Sequence, residues 1–182
     1  MTRALVLIDI QNDYFTGGAM ELVGMEQAAE RAATLLNDFR ASGEPLFHIQ
    51  HFSVRPGAGF FLPDTEGVEI NAVVKPRDGE PVVRKHFPNA FRETTLLEDL
   101  KASGADELIL CGAMSHMCVD STTRAAFDLG FRPTVVSDAC ATRDLAFNGE
   151  TVPAASVHAA FMAALAVPFA AVKTMDAVRG ED

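Results

Sequence analysis

The chain has 182 residues, of which 48% are hydrophobic and 22% are charged, and this composition is ordinary for a globular protein. Its 15 lysines and arginines face 25 acidic residues, which gives a formal net charge of −10. This balance disfavours nucleic acid and anionic membranes as partners, because both require a basic surface. Without a repeat or a low-complexity linker, the sequence predicts one domain over residues 1–182.

The N-terminus and the cysteines bear on cellular location. The first residues lead directly into an apolar run and lack the cleavage pattern of a signal peptide, and no run of 18 apolar residues predicts a membrane span. Cys111, Cys118 and Cys140 form no CxxC pair and no disulfide framework. We therefore expect a cytoplasmic protein.

The first half of the chain alternates between apolar runs and a helical repeat. Strands are predicted at 4–8, 45–50 and 82–85, and a helix at 25–42 that ends at Gly43. Residues 51–80 between the second and third strands are rich in proline and glycine. A connection of this length is usually functional.

The second half continues the same alternation. Helices are predicted at 96–103, 119–129 and 153–165. A strand follows each of them, at 107–111, 134–136 and 169–172. Buried strands that alternate with helices indicate an α/β fold with a parallel sheet covered on both faces. In such sheets the ligand site lies beyond the carboxyl ends of the strands.

Three residues with useful chemistry lie at or just past such ends: Asp9, Lys85 and Cys118. A cysteine attacks as its thiolate, and we expect a helix N-terminus and the Lys85 ammonium to favour that anion. Asp9 could take the thiol proton and return it to a leaving amine. Backbone amides before Cys118 could hold an oxyanion, so the three residues indicate acyl transfer at an amide-like carbon.

Each residue also has a structural interpretation. A buried cysteine is usually inert, and Cys118 taken alone would favour that account. We interpret Cys111, inside an apolar strand, and Cys140, in a loop after a strand, as structural. Asp9 could cap a turn, and Lys85 could be an ordinary surface lysine. The convergence of three strand ends is what favours catalysis.

Several ordered motifs resemble the cysteine hydrolase (isochorismatase-like) superfamily over nearly the whole chain. They are residues 9–14 (DIQNDY), Lys85 after a short strand, 112–122 (GAMSHMCVDST) and 137–142 (SDACAT). The resemblance implies a three-layer, Rossmann-like α/β/α fold with a six-stranded, mostly parallel sheet. It also implies an Asp-Lys-Cys triad, a thioester intermediate and assembly as a homodimer or homotetramer.

The resemblance further implies a cis peptide bond between Ala113 and Met114. The oxyanion hole would then consist of the backbone amides of Met114 and Cys118. True isochorismatases lack the nucleophilic cysteine, whereas this chain keeps it. Hydrolysis of an amide or ureide is therefore favoured over cleavage of a vinyl ether.

The sequence predicts no metal and no other cofactor. Metal-binding nicotinamidases resemble one another in an Asp-x-His pair followed by another histidine, but residues 50–55 read QHFSVR here. His48 and His51 are three residues apart on a strand and face opposite sides, and a third protein ligand is missing. We expect His48 to be packed and His51 to line the pocket rim.

The pocket residues are predicted with alternatives. Tyr14 resembles the aromatic residue that stacks on flat amide substrates in the family, or it is half-buried against the sheet. Phe60, with the adjacent Phe61, forms a lid or a subunit contact. His116 either polarises the substrate or faces solvent. Candidates for holding a substrate carboxylate are three arginines, which nothing in the sequence places in the pocket: Arg55, Arg84 and Arg143.

The sequence thus predicts a metal-independent amidohydrolase for a small amide, carbamoyl or ureide substrate. One alternative is a nicotinamidase that dispenses with the usual metal. Another is a catalytically idle or redox-sensing protein in which Cys118 is a reactive thiol. Asp9 and Lys85 count against idleness, since a sensor needs no proton donor for a leaving amine.

Overall fold

The computed structural model describes residues 2–180, and a six-stranded sheet forms its centre. The spatial order of the strands is β3-β2-β1-β4-β5-β8, and all five neighbouring pairs are parallel. The strand bounds are β1 Arg3–Ile8, β2 Leu46–His51, β3 Val82–Lys85, β4 Glu107–Ala113, β5 Arg132–Ala141, β6 Leu145–Phe147, β7 Glu150–Val152 and β8 Ala171–Lys173.

Five helices cover the two faces of the sheet. Their bounds are α1 Met25–Ser42, α2 Leu96–Ala102, α3 Asp120–Asp128, α4 Ala154–Leu165 and α5 Met175–Arg179. The apolar cluster on one face includes α1 and α5, and the cluster on the other face includes α2, α3 and α4. The predicted three-layer α/β fold is therefore confirmed. No helix among residues 2–180 has the length and apolar character needed to cross a membrane.

Strand β1 shows how the sequence produces these layers. Its residues 4–8 are all buried, because alternate side chains enter opposite faces of a sheet that is covered on both sides. Leu5 and Leu7 join the cluster under α1, whereas Val6 and Ile8 join the cluster on the other face. A continuous apolar run was therefore the correct signal for a central strand.

Several elements differ from the prediction. Strand β5 extends to Ala141, so Cys140 is a buried strand residue and the prediction of a loop there is wrong. The antiparallel hairpin β6–β7 and the short helix α5 were not predicted. The predicted helix at 119–129 is preceded by a separate π-helical turn, Ser115–Val119, and α3 itself begins at Asp120.

Gly112 allows β4 to pass close to β1 just before the turn that carries Cys118. Its φ is +121°, and a Cβ atom built there would overlap the carbonyl of Ile8. The pairing of β4 with β5 also shifts register between Leu110 and Gly112. A side chain at this position would push the end of β4 away from Asp9, which follows Ile8 directly.

We expect Gly112→Ala to lower the free energy of unfolding by about 2–4 kcal/mol, because it combines an unfavourable φ with overpacking. Gly43→Ala is a matched control, since Gly43 has a φ of +70° but no atom within 4 Å of the position that its Cβ would take. Its cost should be about 1 kcal/mol. Urea unfolding measures the free energy of unfolding of both variants. Equal losses in the two variants would show that the close contact of Gly112 with β1 does not contribute to stability.

Candidate active site

Asp9 lies directly after β1 and is completely buried. Its φ is +51°, in the left-handed region that non-glycine residues rarely adopt. The backbone is held there from both sides, because the Asp9 N–H donates to Ile49 O at 3.1 Å and its carbonyl accepts from the Gln11 N–H at 2.9 Å. Such strained positions are concentrated at functional sites.

Lys85, the last residue of β3, brings the three predicted catalytic residues together. Its Nζ lies 2.7 Å from Asp9 Oδ2 and donates to Cys118 Sγ at 3.2 Å. It also lies 2.8 Å from His51 Nδ1 and donates to the Phe87 carbonyl at 3.2 Å. The side chain is 1% exposed, so the possibility of an ordinary surface lysine is excluded.

One oxygen of this cluster is left without a partner. Asp9 Oδ2 lies 2.7 Å from the Lys85 ammonium, whereas Asp9 Oδ1 forms no hydrogen bond among residues 2–180. A buried carboxylate oxygen is normally paired, because desolvation without a partner is costly. Asp9 Oδ1 is therefore an acceptor available to a thiol proton or a ligand N–H.

Cys118 lies inside the π-helical turn Ser115–Val119 and is 5% exposed. The Met114 carbonyl accepts hydrogen bonds from the N–H groups of Met117 and Val119, at 3.0 and 3.2 Å. The same carbonyl therefore closes the turn on both sides of Cys118 in the chain. The peptide bond between Ala113 and Met114 is cis, as the resemblance implied.

The structure reverses the expected ionisation of the thiol. Burial, followed by the charge of Asp9, raises the pKa of Cys118, and the opposing effect of Lys85 is smaller. Burial alone lowers the pKa of Lys85, but the charges of Asp9 and Cys118 outweigh it and the net pKa is raised. Burial and the Asp9 charge therefore favour the protonated thiol, whereas a helix N-terminus and Lys85 were expected to favour the anion.

His51 is neutral and lies beside the cluster. Burial, with the charge of Lys85 in second place, lowers the pKa of its imidazole to about 4. Since Nδ1 faces the Lys85 ammonium, it accepts the hydrogen bond, and the ring proton lies on Nε2. His48 instead bonds to Glu80 at 3.0 Å and is 1% exposed, as expected of a packed residue.

The ligand atoms of Asp9, His51 and Cys118 lie within 4.8 Å of one another, a spacing that a metal ion could bridge. All three residues, however, contact the Lys85 ammonium, which supplies the positive charge at this point. A metal ion bound by the same three atoms would have to displace that ammonium. The donor set therefore fits an internal cation better than a divalent metal.

A cavity of about 470 Å³ opens beside Cys118. Tyr14, His51 and Phe60 line it, where the sequence predicted them. Arg55 also lines it, although nothing in the sequence favoured it over the other arginines. The remaining lining residues are Ser53, Val54, Phe61, His86, Phe87, Pro88, Met114 and Met117.

Three aromatic residues form one wall of this cavity. The ring centroids of Tyr14 and Phe61 are 4.5 Å apart, and those of Phe60 and Phe61 are 5.0 Å apart. Phe61 is only 1% exposed, so the prediction that it joins Phe60 in a lid or a subunit contact is wrong; Tyr14 is also buried, at 2% exposed. Of these three aromatic residues, Phe60 alone is partly exposed, and Phe61 packs against Tyr14.

His116 does not lie in the cavity lining, so the alternative in which it polarises the substrate gains no support. Its Nδ1 is 2.6 Å from Thr142 Oγ1, and its ring meets Phe161 edge-on at 5.9 Å. The tight turn around Cys118 places this side chain against the segment after β5 and against α4. Its pKa is lowered, mainly by burial.

Asp13 is a supporting residue that the sequence did not identify, although it belongs to the DIQNDY motif. Its carboxylate accepts from the Phe61 N–H at 2.6 Å and from the Ala19 N–H at 3.2 Å. Gly67 passes so close that a Cβ there would overlap this carboxylate. Asp13 therefore fixes the aromatic wall to the segment that follows Asp9.

A second support holds the turn that carries Cys118. Ser115 Oγ donates to the Ala141 carbonyl at 3.2 Å and lies 2.8 Å from His158 Nδ1 on α4. Ser115 is fully buried, so these contacts join the turn to β5 and α4. Ser115 belongs to the GAMSHMCVDST motif, but its pairing with His158, 43 positions along the chain, is visible only in the fold.

Comparison with known proteins agrees with this geometry. Residues 3–177 match the model of the isochorismatase domain. The chain belongs to the isochorismatase family. An uncharacterised isochorismatase family protein of Bacillus subtilis, YddQ, is 51% identical over 97% of this chain and 98% of its own length.

Solved structures of the isochorismatase family superpose on the chain. A putative isochorismatase hydrolase from Oleispira antarctica has a TM-score of 0.94 and 49% identity, with coverage of 98% of this chain and 96% of that one. N-carbamoylsarcosine amidase from Thermoplasma acidophilum has a TM-score of 0.81 and 26% identity, with 97% and 98% coverage. Members of the family are hydrolases, and they include amidases that act on carbon–nitrogen bonds.

The role of Asp13 predicts a loss of stability centred on the aromatic wall. Asp13→Ala should lower the free energy of unfolding by about 2–4 kcal/mol, because two N–H groups lose a charged acceptor. Limited proteolysis should cut within residues 51–80 at a higher rate. Asp78→Ala, at an exposed position, should stay within about 0.5 kcal/mol of wild type, and similar values for both variants would contradict the role of Asp13.

The ionisation of the cluster gives a separate test. Asp9→Asn removes the negative charge that, after burial, raises the pKa of Cys118, and it leaves the Lys85 charge unbalanced. The pKa of the thiol should fall, so iodoacetamide should alkylate it about tenfold faster or more at neutral pH. Cys118→Ala identifies the labelled residue, and a rate equal to or below that of wild type would contradict the electrostatic account.

Proposed function

We propose that the protein hydrolyses the carbon–nitrogen bond of a small amide, carbamoyl or ureide substrate through a thioester on Cys118. Asp9 acts as the general acid and base, and Lys85 provides electrostatic support. The observation that carries the proposal is the buried Lys85 ammonium, which contacts both Asp9 and Cys118 beside the cavity. An acid/base, a cation and a nucleophile in mutual contact are the requirements of acyl transfer.

The proposed reaction begins with the thiol. The Cys118 proton moves to Asp9 as the sulfur attacks the substrate carbonyl carbon, and the backbone amides of Met114 and Cys118 stabilise the oxyanion. When the C–N bond breaks, Asp9 transfers that proton to the departing nitrogen and a thioester remains. Asp9 then takes a proton from water, whose oxygen attacks the thioester, and returns that proton to the departing sulfur as the C–S bond breaks, which releases the acid and restores the thiol.

The raised thiol pKa is consistent with this order of events. A buried thiol beside a carboxylate stays protonated until a substrate excludes water and supplies a carbonyl carbon. The same property counts against the redox-sensing alternative, because sensor cysteines combine a lowered pKa with solvent access. Similarity to N-carbamoylsarcosine amidase adds support for a carbon–nitrogen bond as the target.

Ammonia release from a panel of amides, carbamoyl amines, ureides and nicotinamide tests the function. Cys118→Ala should reduce turnover of any active compound by at least about 1000-fold, since the nucleophile is lost. Asp9→Asn should also cripple turnover, in contrast to its faster alkylation. Mass spectrometry of rapidly quenched wild-type enzyme should find the acyl group on Cys118.

The same assay of ammonia release also tests whether the activity requires a metal ion. Turnover should survive dialysis against a chelator, because Lys85 already contacts the three candidate ligands. Loss of activity on chelation, restored by a divalent ion, would contradict this part of the proposal. Full turnover by Cys118→Ala would exclude the thioester mechanism.

A further inference from the structure

The cavity beside Cys118 has an electrostatic character that the chain as a whole does not share. The chain has 25 acidic residues and a net charge of −10, but none of the residues lining the cavity is acidic. Its lining includes Arg55. The Lys85 charge is balanced by Asp9, and His51 is neutral above about pH 4, so neither supplies a net charge to a ligand.

The guanidinium of Arg55 is not used elsewhere in the fold. No ion pair or side-chain hydrogen bond within residues 2–180 involves it. Arginines that do form ion pairs with acidic side chains are Arg3, Arg31, Arg40, Arg92, Arg124, Arg132 and Arg179. Arg55 therefore keeps its planar set of five N–H donors for a ligand.

The backbone under Arg55 is anchored to the catalytic region. The Arg55 carbonyl accepts from the Ala58 N–H at 3.1 Å, and the Ser53 N–H donates to Phe61 O at 2.9 Å. Phe61 is in turn bonded to Asp13, four residues after Asp9. The loop from which the guanidinium extends is thus hydrogen-bonded to the segment that carries Asp13, and Arg55 lines the same cavity as Cys118.

We propose that Arg55 is an anion subsite and that the substrate is a small amide with an apolar body and a carboxylate remote from the scissile carbonyl. Phe60, Phe87 and Met114 would contact the apolar body. A guanidinium binds a carboxylate through two parallel hydrogen bonds, which a lysine cannot reproduce. The assignment of the substrate as an amide rests on the proposed function, whereas the assignment of Arg55 as an anion-binding residue does not.

Hydrolysis of matched pairs tests the subsite. One pair is 4-carbamoylbenzoate and the neutral, nearly isosteric 4-nitrobenzamide, and an aliphatic pair is succinamate and butyramide. The wild type should have the higher kcat/KM for the anionic member. Arg55→Gln should lower the ratio of anionic to neutral kcat/KM by about tenfold, chiefly through KM, and Arg55→Lys should restore part of it.

Arg77→Gln is the control, because Arg77 is an exposed arginine outside the cavity lining. It removes the same charge from the chain, so its anionic-to-neutral ratio should equal that of wild type. A ratio that falls equally in Arg77→Gln and Arg55→Gln would overturn the proposal, since only net charge would then matter. A wild-type preference for the neutral members would also overturn it.

Binding to a variant without the nucleophile separates the two proposals. Calorimetry on Cys118→Ala should show that 4-carbamoylbenzoate binds more tightly than 4-nitrobenzamide, and a further Arg55→Gln change should remove the difference. If that binding holds while the wild type hydrolyses no amide, the proposed function fails and the subsite stands. If amides are hydrolysed but this binding difference is missing, the subsite fails and the function stands.

Discussion

The buried ammonium of Lys85 is the interaction on which the rest of the site depends. It lies at the end of β3 and contacts Asp9 after β1, His51 at the end of β2 and Cys118 after β4. Four adjacent strands thus meet at one cation. Breaking a buried ion pair by removal of one partner costs about 3–5 kcal/mol, because a buried charge is left unbalanced. The cluster therefore contributes to the structure as well as to the chemistry.

The same balance of charge accounts for the raised pKa of Cys118, the proposed nucleophile. Asp9 neutralises the ammonium, so little positive charge remains to stabilise a thiolate in a buried site. Proton transfer from sulfur is then coupled to the arrival of a substrate whose carbonyl accepts the electron pair. A protonated resting thiol is also protected from oxidation, which requires the thiolate.

The cavity wall depends on a second buried carboxylate. Asp13 fixes Phe61, which packs against Tyr14, and the loop that carries Arg55 is bonded to Phe61 as well. The short DIQNDY motif therefore supplies the proposed acid/base residue at its first position and the support of the cavity wall at its fifth. This short stretch of backbone therefore joins the proposed catalytic residue to the wall of the cavity.

The sequence by itself determined the layers of the fold and the three residues that are proposed to react. Continuous apolar runs marked the buried strands, and parallel strands carry their carboxyl ends to one edge, so Asp9, Lys85 and Cys118 could be grouped before any coordinates. Only the tertiary structure decided the state of the thiol, the burial of Phe61, the outward position of His116 and the place of Cys140 in a strand. These properties depend on desolvation and on contacts between residues far apart in the chain, which local patterns do not encode.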